Sequence, residues 1–298
     1  LLPSFVLKAQ NIYFNHLMPA DGLSQISVTN VYADENGVIW MATRVGLDSY
    51  NGNAIHVYRY EADNPHSLFC NNVLRLRGDH RGHIYLLCTE GVARFDIVTQ
   101  QFTTLRRGFY GDICFSDGLY MGLGNAVYRY EEGSKHDRLI VRLPVADGVT
   151  SVRLDSRRRL WIGTQNHGLY CLAGGRLSHP VQLGNITDIY EDSRHTLWVG
   201  SWSNGYWMIS PDGRKVGNHG GNSGNIWLGT FHGLYCLDRR SGAWHKYEAG
   251  NFPGSLSNSS IWHIIRDPQG TLWIGTYFGG VNYFNPEYEI YNRYRAEA

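Results

Sequence analysis

Apolar and polar positions alternate along the chain in short runs, and one run keeps returning. Near the C-terminus it reads Leu272-Trp273-Ile274-Gly275-Thr276, then Tyr277-Phe278-Gly279-Gly280, then Val281-Asn282-Tyr283-Phe284. Leu160-Trp161-Ile162-Gly163-Thr164 leads in the same way into Gly168-Leu169-Tyr170, and Leu197-Trp198-Val199-Gly200-Ser201 into Gly205-Tyr206-Trp207. Ile226-Trp227-Leu228-Gly229-Thr230 precedes Gly233-Leu234-Tyr235, and Ile39-Trp40-Met41-Ala42-Thr43 precedes Gly46-Leu47-Asp48. Two worn copies, at 84–89 and 119–124, bring the set to seven, with the aromatic at Trp40, Tyr85, Tyr120, Trp161, Trp198, Trp227 and Trp273. A period of roughly 40 residues with four short runs per unit predicts an all-β, seven-bladed β-propeller of four-stranded antiparallel blades.

The last copy parses one unit. Ile261 to Arg266 alternates and reads as the innermost strand, a. Asp267-Pro268-Gln269-Gly270 is a turn, because Asp bonds its own downstream backbone, Pro presets φ and Gly accepts positive φ. Leu272 to Thr276 is strand b, apolar at nearly every position, as expected of a strand covered on both faces. Gly280 to Phe284 is strand c, Asn285-Pro286 a turn, and Glu289 to Arg295 the outer strand d. The b-strand glycines (Gly163, Gly200, Gly229, Gly275) predict close approach of a neighbouring blade, and the Trp two positions earlier predicts interblade filling. The turn Asp recurs at Asp34, Asp79, Asp155 and Asp192 and reads as a turn former, not a catalytic acid. The predicted blades cover 26–60, 72–107, 111–143, 149–183, 186–217, 219–248 and 260–295, and residues 1–298 form a single propeller in this reading.

Two places break the period. Trp198 and Trp227 are the closest neighbouring pair, and between Ser210 and Ile226 there is room for a poor outer strand at 213–217 but no innermost one. Loss of the innermost strand would leave strand b an open edge. By the ~40-residue period, about 10–15 residues near Asn218–Asn222 are therefore expected to be missing from the sequence, the alternative being a defective blade. At the other end, Ile12-Tyr13-Phe14-Asn15-His16-Leu17 reads as an outer strand ahead of blade 1 and competes with 289–295 for one place on blade 7. Three arrangements are open: the C-terminal strand takes it, blade 7 has five strands, or the chain continues into a second propeller.

Composition narrows the chemistry. The 298 residues carry a formal net charge of +1, which gives no general pull towards nucleic acid or an anionic membrane. No apolar run nears the roughly 18 residues a span needs, and Leu1-Leu2-Pro3 is at most the tail of a signal peptide. Thirty-five Gly, twenty Tyr and nine Trp fit many short strands and tight turns. The five Cys have no CxxC spacing, and Cys88, Cys171 and Cys236 sit inside strand patterns as small buried hydrophobes.

The unit Asp-x-x-Gly-x-Leu-Trp-Ile-Gly-Thr-x-x-Gly-Leu, with Asp21-Gly22-Leu23-Ser24 and Gly254-Ser255-Leu256-Ser257-Asn258, closely resembles the two-component regulator propeller repeat. The likeness is strong in blades 1, 4, 5, 6 and 7 and weaker in blades 2 and 3. That repeat builds the periplasmic sensor of hybrid two-component systems in Bacteroides-type bacteria. The resemblance implies two propellers in tandem and a β-sandwich, then a membrane span, a histidine kinase, a receiver and a DNA-binding module, with oligosaccharide ligands and control of polysaccharide-utilisation genes. It implies a periplasmic part of an inner-membrane protein, whose partners are an oligosaccharide, the second propeller and sandwich of the same chain, and a second copy in a homodimer. No cofactor, metal or nucleic acid is expected for this stretch.

In a four-stranded blade the b–c and d–a loops share one face. The b–c loops vary here while the a–b turns are monotonous, and rigid scaffolds concentrate binding groups in such loops. The candidate ligand residues are Arg44, Gln165, Asn166, His167, Trp202, Asn204, Phe231, His232, Tyr277 and Phe278. Aromatic rings suit the apolar faces of sugars, and amides, His and Arg suit hydroxyls and acidic groups. The same aromatics would also suit a second propeller or a dimer mate, so a pure scaffold is the alternative. An enzyme is the remote reading. Only Asp63 and Glu90 offer paired carboxylates on this face, no Ser nucleophile elbow exists, and His80-Arg81-Gly82-His83 lies on an a–b turn without a third ligand. A streptogramin-type lyase would need a catalytic His and metal-binding acids on one face, which the sequence does not assemble.

Overall fold

The computed structural model describes residues 12–182, 184–202, 205–213, 215–216, 225–238 and 241–286. After β1 (Asn15–Leu17), blade 1 is β2 (Val28–Ala33), β3 (Ile39–Thr43), β4 (Gly46–Tyr50) and β5 (Ile55–Tyr58). Blade 2 is β6 (Val73–Gly78), β7 (His83–Cys88), β8 (Gly91–Asp96) and β9 (Gln101–Arg107), and blade 3 is β10 (Asp112–Phe115), β11 (Leu119–Leu123), β12 (Ala126–Arg129) and β13 (Arg138–Arg142). Blade 4 is β14 (Val149–Leu154), β15 (Leu160–Thr164), β16 (Leu169–Ala173) and β17 (Arg176–Val181). Blade 5 is β18 (Ile186–Glu191), β19 (Leu197–Ser201), β20 (Gly205–Ile209) and β21 (Lys215–Val216). Blade 6 shows β22 (Ile226–Thr230), β23 (Gly233–Leu237) and β24 (Trp244–Tyr247), and blade 7 β25 (Ile261–Arg266), β26 (Leu272–Thr276) and β27 (Val281–Phe284). These seven antiparallel sheets, with one short 3₁₀ turn at Pro19–Asp21, make a seven-bladed β-propeller of four-stranded blades.

The poor outer strand expected at 213–217 exists as β21, which pairs Val216 with Met208. The expected loss of residues near Asn218–Asn222, and the outer strand at 289–295, fall outside the described residues. The outer place on blade 7 is held by β1, which pairs Asn15 with Tyr283 and Leu17 with Val281.

Two compact units divide the chain: 1–76 with 99–103 and 220–298, and 77–98 with 104–219. In the first unit Trp273 packs with Val28, Val31, Ile39 and Met41 of blade 1, so the b-strand indole fills the gap between blades 7 and 1. A Cβ on Gly275 would lie 2.9 Å from the Val28 carbonyl oxygen, which is why strand b has no side chain there. In the second unit Trp161 of blade 4 packs with Ile186, Ile189, Leu197 and Val199 of blade 5, and a Cβ on Gly163 would lie 2.6 Å from Ile186. Strands β3, β15 and β26 are buried at all five positions, as two-sided coverage requires.

The turn Asp does more than form a turn. In blades 1, 4, 5 and 7 its Oδ2 accepts the indole N–H of the strand-b Trp six residues on: Asp34–Trp40 at 2.9 Å, Asp155–Trp161 at 2.8 Å, Asp192–Trp198 at 3.0 Å and Asp267–Trp273 at 2.8 Å. Its Oδ1 accepts a backbone N–H four residues on, from Val38, Arg159, Thr196 and Thr271. One carboxylate thus satisfies the turn and the only polar atom of the buried indole. In the worn blades the partner changes with the aromatic: Asp79 meets His83 Nδ1 at 2.8 Å, and Asp117 accepts from the Tyr120 hydroxyl at 2.9 Å. Where the turn has lost its Gly, Arg158 and His195 take the left-handed conformation, both at φ 61°.

All five cysteines are buried and none is in a disulfide. Burial pushes the Cys171 thiol up to about 11 and the Cys236 thiol up to about 12, so neither supplies a thiolate near neutral pH.

Candidate functional site

The terminal Thr of strand b shapes each b–c loop in four blades. Its hydroxyl donates to the carbonyl of the Gly that opens strand c: Thr43 to Gly46 at 3.0 Å, Thr164 to Gly168 at 3.0 Å, Thr230 to Gly233 at 2.9 Å and Thr276 to Gly280 at 2.9 Å. The same oxygen accepts a loop N–H, from Val45, His167, His232 and Gly279. A clamp of this kind fixes the loop backbone and leaves the loop side chains to vary.

In the first unit the blade 7 loop is held further by small groups. Tyr277 N–H donates to Ser260 O at 3.0 Å, Gly280 N–H to Ile26 O at 2.8 Å, and the Ser257 hydroxyl to Gly279 O at 2.6 Å. The Ser27 hydroxyl donates to Tyr277 O. On this support Tyr277 stacks flat on Trp262, with centroids 5.1 Å apart and planes 4° apart. Phe278, which is 55% exposed, leans on Tyr277 at 4.1 Å and 56°. The Arg44 guanidinium of blade 1 lies 5.4 Å from the Tyr277 centroid. Three predicted residues, Arg44, Tyr277 and Phe278, are therefore brought together. Phe231 reaches the same neighbourhood through its carbonyl, which accepts from the Ser260 hydroxyl at 3.4 Å, while His232 is exposed beside it.

In the second unit the blade 4 loop is organised around a carboxylate that sequence reading passed over. Asp147, 7% exposed in the d–a loop, accepts at Oδ2 from the backbone N–H of Asn166 (2.7 Å) and His167 (3.0 Å) and meets His167 Nδ1 at 2.9 Å. Its Oδ1 accepts from the Asn166 side-chain amide at 3.1 Å and from Gly148 N–H at 3.0 Å. Burial alone would raise this carboxyl, but the bonds from His167 and Asn166 outweigh it and hold it at about 2. Asn166 and His167 are thus loop anchors first, with only their outer edges left for a ligand. Gln165 is tied by its backbone to Gly148 O at 3.0 Å and keeps its side chain exposed. Trp202 is 64% exposed, with its N–H on Asn185 O at 3.0 Å, and Asn204 lies outside the described residues.

Trp262 is the residue the sequence did not flag. It stands on strand a at the register shift between Ile261 and His263. The same shift occurs in blades 1, 4 and 5, and there the extra residue is Thr29, Thr150 and Thr187. Thr29 donates to Val73 O at 2.8 Å and Thr150 to Ile186 O at 2.7 Å, in each case the first residue of the next blade. The signal was a Trp at a place blades 1, 4 and 5 give to Thr, visible only once the a strands are aligned on their bulges.

A Ser–His–Glu grouping joins two a–b turns of the second unit. Ser156 Oγ donates to Glu191 Oε1 at 2.5 Å and meets His195 Nδ1 at 2.9 Å, while the same Nδ1 lies 3.2 Å from Glu191. One imidazole nitrogen meets both partners, so no second nitrogen links base to nucleophile, and the group is an interblade tie rather than a nucleophilic relay. Glu90 faces Arg107 at 3.6 Å, and His83 is taken up by Asp79. Among the described residues no three His, Cys, Asp or Glu side chains converge as a metal site, and no helix is long and apolar enough to cross a membrane.

The model of the two component regulator propeller matches residues 181–203 and 255–278, which span the b strands of blades 5 and 7. A 64-residue stretch is 39% identical to a histidine kinase of Formosa agariphila, covering 21% of this chain and 5% of that protein. The fold is similar to the extracellular domain of a hybrid two component system of B. thetaiotaomicron (TM-score 0.79, 21% identity), over 91% of this chain and 41% of the other. It is also similar to virginiamycin B lyase of Staphylococcus aureus (TM-score 0.70, 14% identity), over 91% and 98%. The chain therefore spans about two fifths of that extracellular domain and about 5% of the kinase. Two of its repeats, in blades 5 and 7, match the two-component regulator propeller, the resemblance its sequence carries.

Proposed function

We propose that this chain is the non-catalytic sensor propeller of a hybrid two-component system. In this reading it lies on the periplasmic side of the inner membrane and binds an oligosaccharide through its b–c loops. It passes the signal to a histidine kinase that controls polysaccharide-utilisation genes. The observation that carries the reading is the Trp262–Tyr277–Phe278 stack with Arg44 above it, on a loop whose backbone is fixed by small side chains. The exposed Phe278 beside the half-buried Tyr277, on a rigid base, matches the apolar faces of sugars, and fixing the base in advance removes ordering cost on binding. The repeat match and the likeness to a two-component extracellular domain support the sensor role. Signalling then requires that the saccharide favour one arrangement of this propeller with the rest of the chain, a second propeller and a β-sandwich, or with a second copy in a homodimer.

A second reading is a scaffold that meets those domains and binds no sugar. Phe109 at 83% exposure and Trp202 at 64%, both on loops of the second unit, favour it, because exposed aromatics suit protein contacts. Titration calorimetry of the protein against a panel of plant and host oligosaccharides decides between them. Binding lost in Tyr277→Ala with an unchanged melting temperature supports the sensor. No binding across the panel by the full periplasmic region removes it and leaves the scaffold.

A further inference from the structure

Resting on the saccharide-sensing reading above, we infer that the Arg44–Tyr277–Trp262 assembly selects an acidic saccharide, one bearing a uronate carboxylate or a sulfate ester, over a neutral one. The argument begins with Trp262. At the bulge position blades 1 and 4 use a Thr hydroxyl to tie one blade to the next, and blade 7 has an indole there instead. The indole N–H is buried without a hydrogen-bond partner among the described residues. A bulge that re-aims a side chain, at a residue that breaks the rule its neighbours keep, marks a functional position rather than a packing one. What Trp262 supports is Tyr277, stacked on it and fixed through Ser260 and Ser27.

Arg44 then sets the charge. Arg106, Arg159 and Arg94 are each engaged by a carboxylate, from Asp137, Asp155 and Glu132. Arg44 is exposed and has no ion-pair partner among the described residues, and what it faces is the Tyr277 ring. An aromatic face orients the planar guanidinium without neutralising it, so its paired N–H donors remain for a bidentate acceptor. The bordering segments, 25–27, 44–45, 257–260 and 277–280, contain no Asp or Glu, so none of them offers Arg44 a carboxylate. A sugar ring on the platform with a carboxylate or sulfate at its edge satisfies both elements, whereas a neutral ring leaves the guanidinium to water.

The test measures affinities of the intact protein by titration calorimetry for acidic oligosaccharides and neutral counterparts. The probes are oligogalacturonate and its methyl ester, sulfated heparin fragments, and neutral xylan and mannan oligosaccharides. The expected result is at least about tenfold tighter binding of one acidic probe than of the neutral ones, weakening as salt rises and screening shortens. Arg44→Gln should erase that preference with no change in melting temperature, and Tyr277→Ala should abolish binding altogether. Equal or tighter binding of a neutral probe, or a preference that survives Arg44→Gln, overturns the selection while leaving a saccharide sensor in place. No binding of any probe overturns both.

Discussion

Blades 4 and 7 carry the same repeat and end strand b with the same Thr clamp, yet they use their b–c loops in opposite ways. In blade 4 one buried carboxylate, Asp147, gathers the polar side chains of the loop inward. In blade 7 serine hydroxyls and backbone amides do the holding, and the large side chains stand outward. A loop presents chemistry only when something other than the presented residues supports it. Gln165-Asn166-His167 looks like a binding loop in sequence and is mostly its own foundation.

The largest test of this contrast is Asp147→Ala. It removes the acceptor of five hydrogen bonds around one buried carboxylate, leaves three backbone donors without it, and is expected to cost about 2–4 kcal/mol by chemical denaturation. Ser257→Ala in blade 7 is expected to cost about 1 kcal/mol, because each donor there has its own acceptor. Equal losses would mean that the two loops are anchored alike.

Acid sharpens the same comparison. Asp147 is held at about 2, below its unfolded value, so its contribution is full above pH 4 and fades as pH falls towards 2. That contribution is about 2 kcal/mol, and denaturation in Asp147→Asn should lose this part of the acid dependence. The first unit holds the opposite case. Burial pushes Asp48 up to about 6 against the bonds from Ser24, so its charged form destabilises the fold as pH rises through 6. Asn282 fills the same repeat position in blade 7 uncharged, accepting from Ser257 N–H at 2.8 Å and donating to its hydroxyl at 2.8 Å. Asp48→Asn is therefore expected to gain about 1–3 kcal/mol at pH 8 and nothing near pH 4. A gain at both, or at neither, contradicts the sign.

A ligand-level test follows. His167→Ala should raise the Asp147 carboxyl and leave saccharide binding intact, while Tyr277→Ala should do the reverse. Chemical-shift titration and calorimetry read the two effects separately, and binding lost in the His167 variant alone would move the site to blade 4. The smallest effect belongs to the a–b turns. Gly270 takes φ 90° in blade 7 without side-chain strain, whereas Arg158 takes φ 61° in blade 4. Arg158→Gly relieves roughly 1 kcal/mol of strain but loses the exposed pair with Asp117 at 2.6 Å, so a net change within about 1 kcal/mol is expected in thermal melts.

Most of the architecture was legible because a propeller repeats its signals. The apolar b strand, its Gly and its Trp each return often enough to fix the period, and the described b strands fall on the repeated runs. The Asp–Trp tie was visible as two residues but not as one bond, because spacing shows which groups recur and not which atoms meet. The candidate site was half legible. Tyr277 and Phe278 stand out as aromatics in a short loop, but Trp262 is masked inside an alternating strand and only its bulge sets it apart. Asp147 was hidden for a different reason: it acts across a d–a loop on residues 19 and 20 positions away, beyond any local pattern. The outer place on blade 7 was ambiguous for the same cause, since β1 and β27 meet from opposite ends of the chain.

The Asp-to-Trp bond spans only six residues and lies wholly inside one hairpin. What sets the turn, satisfies the indole N–H and starts strand b is therefore written in one short length of gene, while the neighbouring blade supplies the packing around the ring. Such a cassette can be copied, lost or shuffled by recombination and still fold where it lands, as contacts between near neighbours allow. Its weaker copies, with Tyr85 and Tyr120 in place of the indole and His83 or Tyr120 meeting the carboxylate, then show how far one cassette can drift while the carboxylate still finds a proton donor nearby.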